Sequence, residues 1–151
     1  MIRRWDIITI GNLSRNRYWR ESDGQAYRPA LCTCTLIRAD RWNLLIDPSL
    51  DDGDRMAVEL DRRTGMKLSD INMVFITHDH GDHHAGLRHF IGARWLSSPS
   101  VAEVLNSGGQ YSKSIEAISG TTEKAVMASA AKRIILAGGY LLSPAARGLR
   151  S

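Results

Sequence analysis

The sequence predicts a single α/β domain. Three observations lead there: a length of 151 residues, suited to one domain; short apolar runs typical of buried strands; and stretches of helical spacing between those runs as far as Leu105. Hydrophobic residues make up 43 % of the chain and charged residues 24 %. Those proportions exclude a disordered chain, a collagen-like chain and a disulfide-dense scaffold. No run reaches the roughly 18 apolar residues of a membrane span. The start, Met1-Ile2-Arg3-Arg4-Trp5-Asp6, is basic, but Asp6 interrupts it and no apolar stretch with a cleavage site follows. The expected compartment is the cytoplasm, with no membrane partner.

The elements follow in order. Residues 5–11 carry Trp5, Ile7, Ile8, Thr9 and Ile10 and stop at Gly11, which reads as a strand. Residues 13–29 are polar and arginine-rich, with Asp23-Gly24 as a turn signal, and read as a long surface loop. Residues 31–37 alternate as a second strand, and residues 42–46 form a short buried strand stopping at Asp47-Pro48. A helix follows. Met56, Ala57 and Leu60 recur at helical spacing, Asp51, Asp52 and Asp54 put negative charge at its start, and Gly65 stands where a C-terminal cap belongs. Residues 72–76 are a buried strand, 94–96 a short strand, and 98–105 a helix opened by Ser98-Pro99 and closed by Gly108-Gly109. The chain then turns rich in Ala, Ser and Gly. Residues 119–151 read as a divergent, partly disordered tail of the same 1–151 domain, with a helix candidate at 125–131 and a strand candidate at 133–137.

The net charge is +4, and Arg3, Arg4, Arg15, Arg17, Arg20, Arg28, Arg38 and Arg41 crowd the first quarter. A solvated basic surface is the expected role, in preference to a nucleic-acid interface. Cys32 and Cys34 are the two cysteines. Two apart on a strand they share a face, and the expectation is a pair of buried, inert thiols.

The five histidines, His78, His80, His83, His84 and His89, all lie within twelve positions. Scattered core histidines do not cluster in this way. Directly after a buried strand comes His-x-His-x-Asp-His: His78, His80, Asp82 and His83. In an extended segment residues two apart point the same way, so His78 and His80 can reach one ion. Gly81 lets the chain turn, which brings Asp82 and His83 inward. Imidazole suits Zn²⁺, and a neighbouring carboxylate suits a second metal or a base for water. Two ions about 3.5–4 Å apart would clamp a water between them. His84 is expected to face solvent and His89 to lie on the following helix.

The segment Thr77-His-Asp-His-Gly-Asp-His-His-Ala-Gly86 resembles the signature of the metallo-β-lactamase-fold superfamily. So do the strand ending Leu44-Leu-Ile-Asp-Pro48, the helix after it and the lead-in Val74-Phe-Ile-Thr77. The resemblance covers roughly residues 5–105. It implies an αβ/βα sandwich with the metal site at the sheet edge, of which this chain would hold the N-terminal half. It implies a metal-dependent hydrolase of esters, thioesters, lactams or phosphodiesters. It assigns His78 and His80 to a first metal, and Asp82 and His83 to a second. Asp82 would also stand near the nucleophilic water, as the catalytic carboxylate. Asp47 would support the histidine loop from its strand end. Zinc is the expected cofactor, as one or two ions, with Mn or Fe as substitutes.

The family pattern also uses a downstream histidine, a bridging aspartate and a last histidine. This chain has no histidine after His89 and no aspartate after Asp82; Glu103, Glu116 and Glu123 are the later acids. A shortened or frame-shifted chain fits that pattern. So does a homodimer in which a second copy covers the open sheet face and lends His84, His89 or a glutamate. The alternative to a hydrolase is a catalytically silent metal-binding or dimerisation module.

Overall fold

The chain divides into two units, Met1–Ala117 and Ile118–Ser151. The computed structural model describes residues 1–118, so the expected helix at 125–131, strand at 133–137 and tail lie outside the described residues. The first unit is built on one six-stranded sheet whose strands lie in chain order. They are β1 (Ile2–Thr9), β2 (Cys34–Ala39), β3 (Asn43–Ile46), β4 (Met73–Ile76), β5 (Arg94–Ser97) and β6 (Glu116–Ala117). The first three pair antiparallel, and β3 through β6 run parallel. The helices are α1 (Gly53–Thr64), α2 (Gly81–His84) and α3 (Pro99–Ser107). The α/β class predicted by the alternation is the observed one.

Register explains the apolar runs. Leu36, Leu45, Val74 and Trp95 form one row across β2 to β5. All are buried in the main core with Met56 and Leu60 of α1, Phe90, and Ala102 and Leu105 of α3. Ile46, Phe75 and Leu96 make the next row, on the opposite face, and are buried too. Strands buried on both faces read as continuous apolar runs rather than alternations.

Local chemistry sets the helix ends. The Asp52 side chain accepts from the backbone N–H groups of Asp54 (3.0 Å) and Arg55 (3.1 Å), which caps α1. Gly65 closes the helix in the left-handed region (φ 69°), its N–H donating to Asp61 O. Proline at the first position of α3 is pre-set for a helix start.

Three differences from the sequence reading bear on the site. First, β1 starts at Ile2, because the Met1 amino group and Arg3 pair with Asp40 beyond the end of β2. Second, β2 starts at Cys34 rather than Leu31. Leu31 makes an isolated bridge to Asn12, and the β1–β2 register shifts between Ile7 and Thr9, so residues 32 and 33 leave the ladder. Third, the histidine motif is not simply a turn: its second half winds into α2, where His83 N–H donates to His80 O at 2.9 Å. Short 3-10 turns at Leu68–Asp70 and Leu87–Phe90, and the two-residue β6, carry no clear periodicity in sequence.

Among the described side chains, four of the eight arginines of the basic N-terminal stretch are paired with acids. Arg4 pairs with Asp6 at 2.5 Å, Arg15 meets Asp23 at 3.5 Å, and Arg3 and Arg28 pair with Asp40 and Glu21.

Candidate metal centre

Parallel pairing of β3 and β4 places both C-terminal ends on one sheet edge, the usual place for a ligand site in an α/β sheet. Asp47 follows β3 and Thr77 follows β4. Asp47 N–H still donates to Phe75 O (3.0 Å), but the residue then turns into the left-handed region, φ 51°. Aspartate tolerates that conformation better than most side chains. Its carboxylate, with the residue only 4 % exposed, is anchored on Thr77. Thr77 N–H donates to Oδ1 at 2.8 Å and Thr77 Oγ1–H to Oδ2 at 2.6 Å.

That pair of bonds fixes the histidines. Thr77 Oγ1 lies 3.2 Å from Nδ1 of His78 and 3.2 Å from Nδ1 of His83. The single hydroxyl proton is committed to Asp47, so toward both rings the oxygen can only accept. His83 Nδ1 is also 3.0 Å from Asp47 Oδ2. Both imidazoles are therefore assigned the Nδ1–H form, which leaves a lone pair on each Nε2. The rings converge: His78 and His83 centroids are 3.5 Å apart, and His78 and His80 are 4.6 Å apart. Asp82 Oδ2 stands 4.0 Å from His83 Nε2. The Asp47 carboxylate on Nδ1 of His83 is the common kind of support for a histidine that ligates through its other nitrogen.

A sequence model of the metallo-beta-lactamase superfamily matches residues 27–133. The chain belongs to that superfamily. Among curated proteins none matches. A Thermotoga maritima structure described as a metallo-beta-lactamase shares 19 % identity and a TM-score of 0.53, over 77 % of this chain and 58 % of that one. A Cronobacter sakazakii metallo-beta-lactamase with the HARLDQ motif gives 22 % identity and 0.46, over 58 % and 38 %. The MIM-2 metallo-beta-lactamase gives 28 % and 0.45, over 56 % and 36 %. This superfamily member thus spans well under two thirds of the length of the structures it matches.

Two residues, His84 and Cys32, fall differently from the sequence reading. His84 does not face solvent. It is buried, with Nε2 3.2 Å from Asp79 O and Nδ1 2.5 Å from the Tyr111 hydroxyl. A carbonyl only accepts, so Nε2 carries the proton and Nδ1 is an acceptor; the one Tyr111 hydroxyl proton serves both it and His84 O, 3.0 Å away. Burial raises the Tyr111 pKa and keeps that donor protonated. With both nitrogens engaged, His84 fastens the histidine loop to Tyr111 and is not free to serve another copy. His89 lies, as expected, on the helical segment after α2, the 3-10 turn Leu87–Phe90, with its Nε2 2.7 Å from Asp51 O.

The second is Cys32. Cys34 is the inert core thiol expected, fully buried. Cys32 is half-buried outside the strand, with Sγ 3.7 Å from Asp47 Oδ2. Burial, and then the Asp47 and Asp82 charges, push its thiol pKa well up. Cys32, Asp47 and His83 bring donor atoms within 4.8 Å of one another, a group able to hold a metal ion. Sequence spacing could not find this trio, because its members come from three separate segments.

The residues fit a divalent cation. The donor set is three converging imidazoles with carboxylates and a thiol around them, and the hydrogen-bond network leaves nitrogen lone pairs unused. His78 also suits the role in its protonation. Its pKa is lowered from 6.5, first by burial and then by repulsion from His83 and His80. A folded pKa below the unfolded one means stability that is complete above pH 6.5 and lost as pH falls through the range below it. The metal-free protein is therefore expected to show a Tm that drops with acidification below that point, and His78→Gln should flatten the drop. Equal slopes in the two proteins would assign the acid sensitivity elsewhere.

Proposed function

We propose that this chain carries the metal-binding half of a hydrolase centre. His78 and His80 hold one cation, Asp82 and His83 hold a second, and Asp47 is the supporting carboxylate. What supports the reading is one arrangement: Thr77 occupies the Nδ1 side of His78 and His83, Asp47 joins it at His83, and His83 Nε2 faces Asp82. A divalent ion there, zinc by preference for imidazole, would polarise an ester, thioester, lactam or phosphodiester oxygen and ease deprotonation of water. Asp82 Oδ2 is the group assigned to accept the water's proton. A cavity of about 890 Å³ lined by Gly81, Asp82, Arg55 and Arg88 gives a small substrate room beside it. Pairing of Arg3, Arg4 and Arg28 with acidic residues favours such a substrate over a nucleic acid. Among the described residues no helix is long and apolar enough to cross a membrane.

A second reading is favoured by one observation, the lack of histidine after His89 and of aspartate after Asp82. Two or three protein ligands bind zinc more weakly than a full set, and the chain would then be a catalytically silent metal-binding or dimerisation module. Exposed Ile10, Leu13, Tyr18 and Trp19, on the loop leading to Cys32, offer apolar surface for a second copy. The deciding experiment measures zinc per chain, solution mass and turnover of ester, thioester, lactam and phosphodiester probes on one sample. Bound zinc with turnover lost in Asp82→Asn supports the hydrolase. Bound zinc in a dimer without turnover supports the silent module. A chain that takes up no zinc refutes both.

A further inference from the structure

His83 has two usable edges. Asp82 stands on its Nε2 edge at 4.0 Å, and Asp47 on its Nδ1 edge at 3.0 Å. Cys32 Sγ lies 3.7 Å from the same Asp47 oxygen. These two separations are close to the ligand–ligand edges of a tetrahedral zinc site, where the metal distances are about 2.3 Å to sulfur and 2.0–2.2 Å to nitrogen or oxygen. Three donors of different type thus already gather within 4.8 Å of one another, with two edges of a tetrahedral face close to length.

The fold makes this face. The break in the β1–β2 ladder takes residues 32 and 33 out of pairing, and the antiparallel start of β2 lies at the same sheet edge as the end of β3. Cys34, two residues on, turns into the core instead. The cysteines are therefore not equivalent, and only Cys32 can serve a site at this edge.

We propose that Cys32, Asp47 and His83 form a thiolate-bearing site for a soft divalent cation, on the opposite edge of His83 from Asp82. The inference rests on the hydrolase reading only for the statement that this loop binds cations. Binding releases the Cys32 thiol proton to solvent, and the His83 proton relocates from Nδ1 to Nε2, so the ring's proton count is unchanged. The metal–sulfur bond replaces the S–H bond and involves no redox change. Two consequences follow. Thiolate selects thiophilic ions such as Zn²⁺, Co²⁺ and Cd²⁺ over Mg²⁺ and Mn²⁺. An ion on the Nδ1 edge also takes the Nε2 lone pair away from the Asp82 side, so occupancy of the two edges is exclusive.

The test titrates the metal-free full chain with Cd²⁺ and with Mn²⁺, following thiolate-to-metal charge transfer in the near ultraviolet and the histidine ring resonances (read with Cd²⁺). The expected result is a charge-transfer band with Cd²⁺ that disappears in Cys32→Ser, persists in Cys34→Ser and is absent with Mn²⁺. Since Cys34→Ser disturbs a packed core, a second measurement uses the unmodified chain: bound Cd²⁺ should slow alkylation of Cys32 at least tenfold. A band that survives in Cys32→Ser, or alkylation unaffected by Cd²⁺, overturns the proposal. Histidine shifts without any thiolate band overturn it too, yet leave the hydrolase reading standing. No histidine shift and no band removes both.

Discussion

Asp47→Asn is expected to lower zinc affinity by about 10–100-fold, the usual loss when a supporting carboxylate is removed. The substitution keeps shape and suits the left-handed backbone at this position, where φ is 51°. It changes the donor count. The two carboxylate oxygens receive Thr77 N–H, Thr77 O–H, His83 Nδ1–H and the Cys32 thiol. An amide has one oxygen, so its NH₂ faces a donor in either orientation. Set toward His83, it leaves the ring without its acceptor. Set toward the Thr77 amide, it opposes N–H to N–H. In both cases the Thr77 hydroxyl proton is no longer held by charge and can turn to Nδ1 of His78 or His83. That would put the ring proton on Nε2 and close the metal-binding lone pair. A buried polar group losing its partner also costs about 1–3 kcal/mol. Calorimetric titration with zinc, together with thermal melting of the metal-free protein, checks both effects. Unchanged affinity would remove Asp47 from the supporting role.

Gly86→Ala should destabilise the protein by about 1–3 kcal/mol, the range for overpacking a filled site, and toward its upper end. A Cβ on Gly86 would sit 2.3 Å from Leu50 O and 3.1 Å from Pro48 O. Both neighbours are backbone and cannot swing aside. Gly86 N–H also donates to Pro48 O at 2.8 Å, so any retreat stretches a hydrogen bond between the histidine segment and the chain after Asp47. The methyl group therefore pushes the histidines away from their carboxylate as well as straining the loop. Gly92→Ala, where nothing lies within 4 Å, is the matched control and should leave stability nearly unchanged. Denaturant unfolding of the two variants gives the comparison; similar midpoints would show that the 48–50 backbone yields easily.

Much of this was legible in the sequence. The runs Leu44-Leu-Ile and Met73-Val-Phe-Ile announce strands buried on both faces, and Asp52 with Gly65 brackets α1 almost to the residue. The clustering of His78, His80, Asp82 and His83 on six positions gave the candidate site. Less visible was α2, because the histidine motif is too short to show a helical period, and the fate of His84. A histidine in a cluster of histidines looks like a ligand or a solvated side chain. The nitrogens of His84 are spent inside the protein, Nε2 on Asp79 O and Nδ1 on Tyr111, 27 positions away.

The sequence by itself determined the order of β1 to β5 with α1 and α3, the family, and a set of candidate cation ligands, since all of these rest on local spacing and residue chemistry. The tertiary structure decided which ring nitrogen of His78 and His83 faces the Asp47–Thr77 pair and which cysteine lies beside Asp47. Those outcomes depend on Asp47, Thr77 and Cys32 meeting at one sheet edge. Strand pairing brings them together across 15 and 30 positions of chain, and no pattern along the chain records such a meeting.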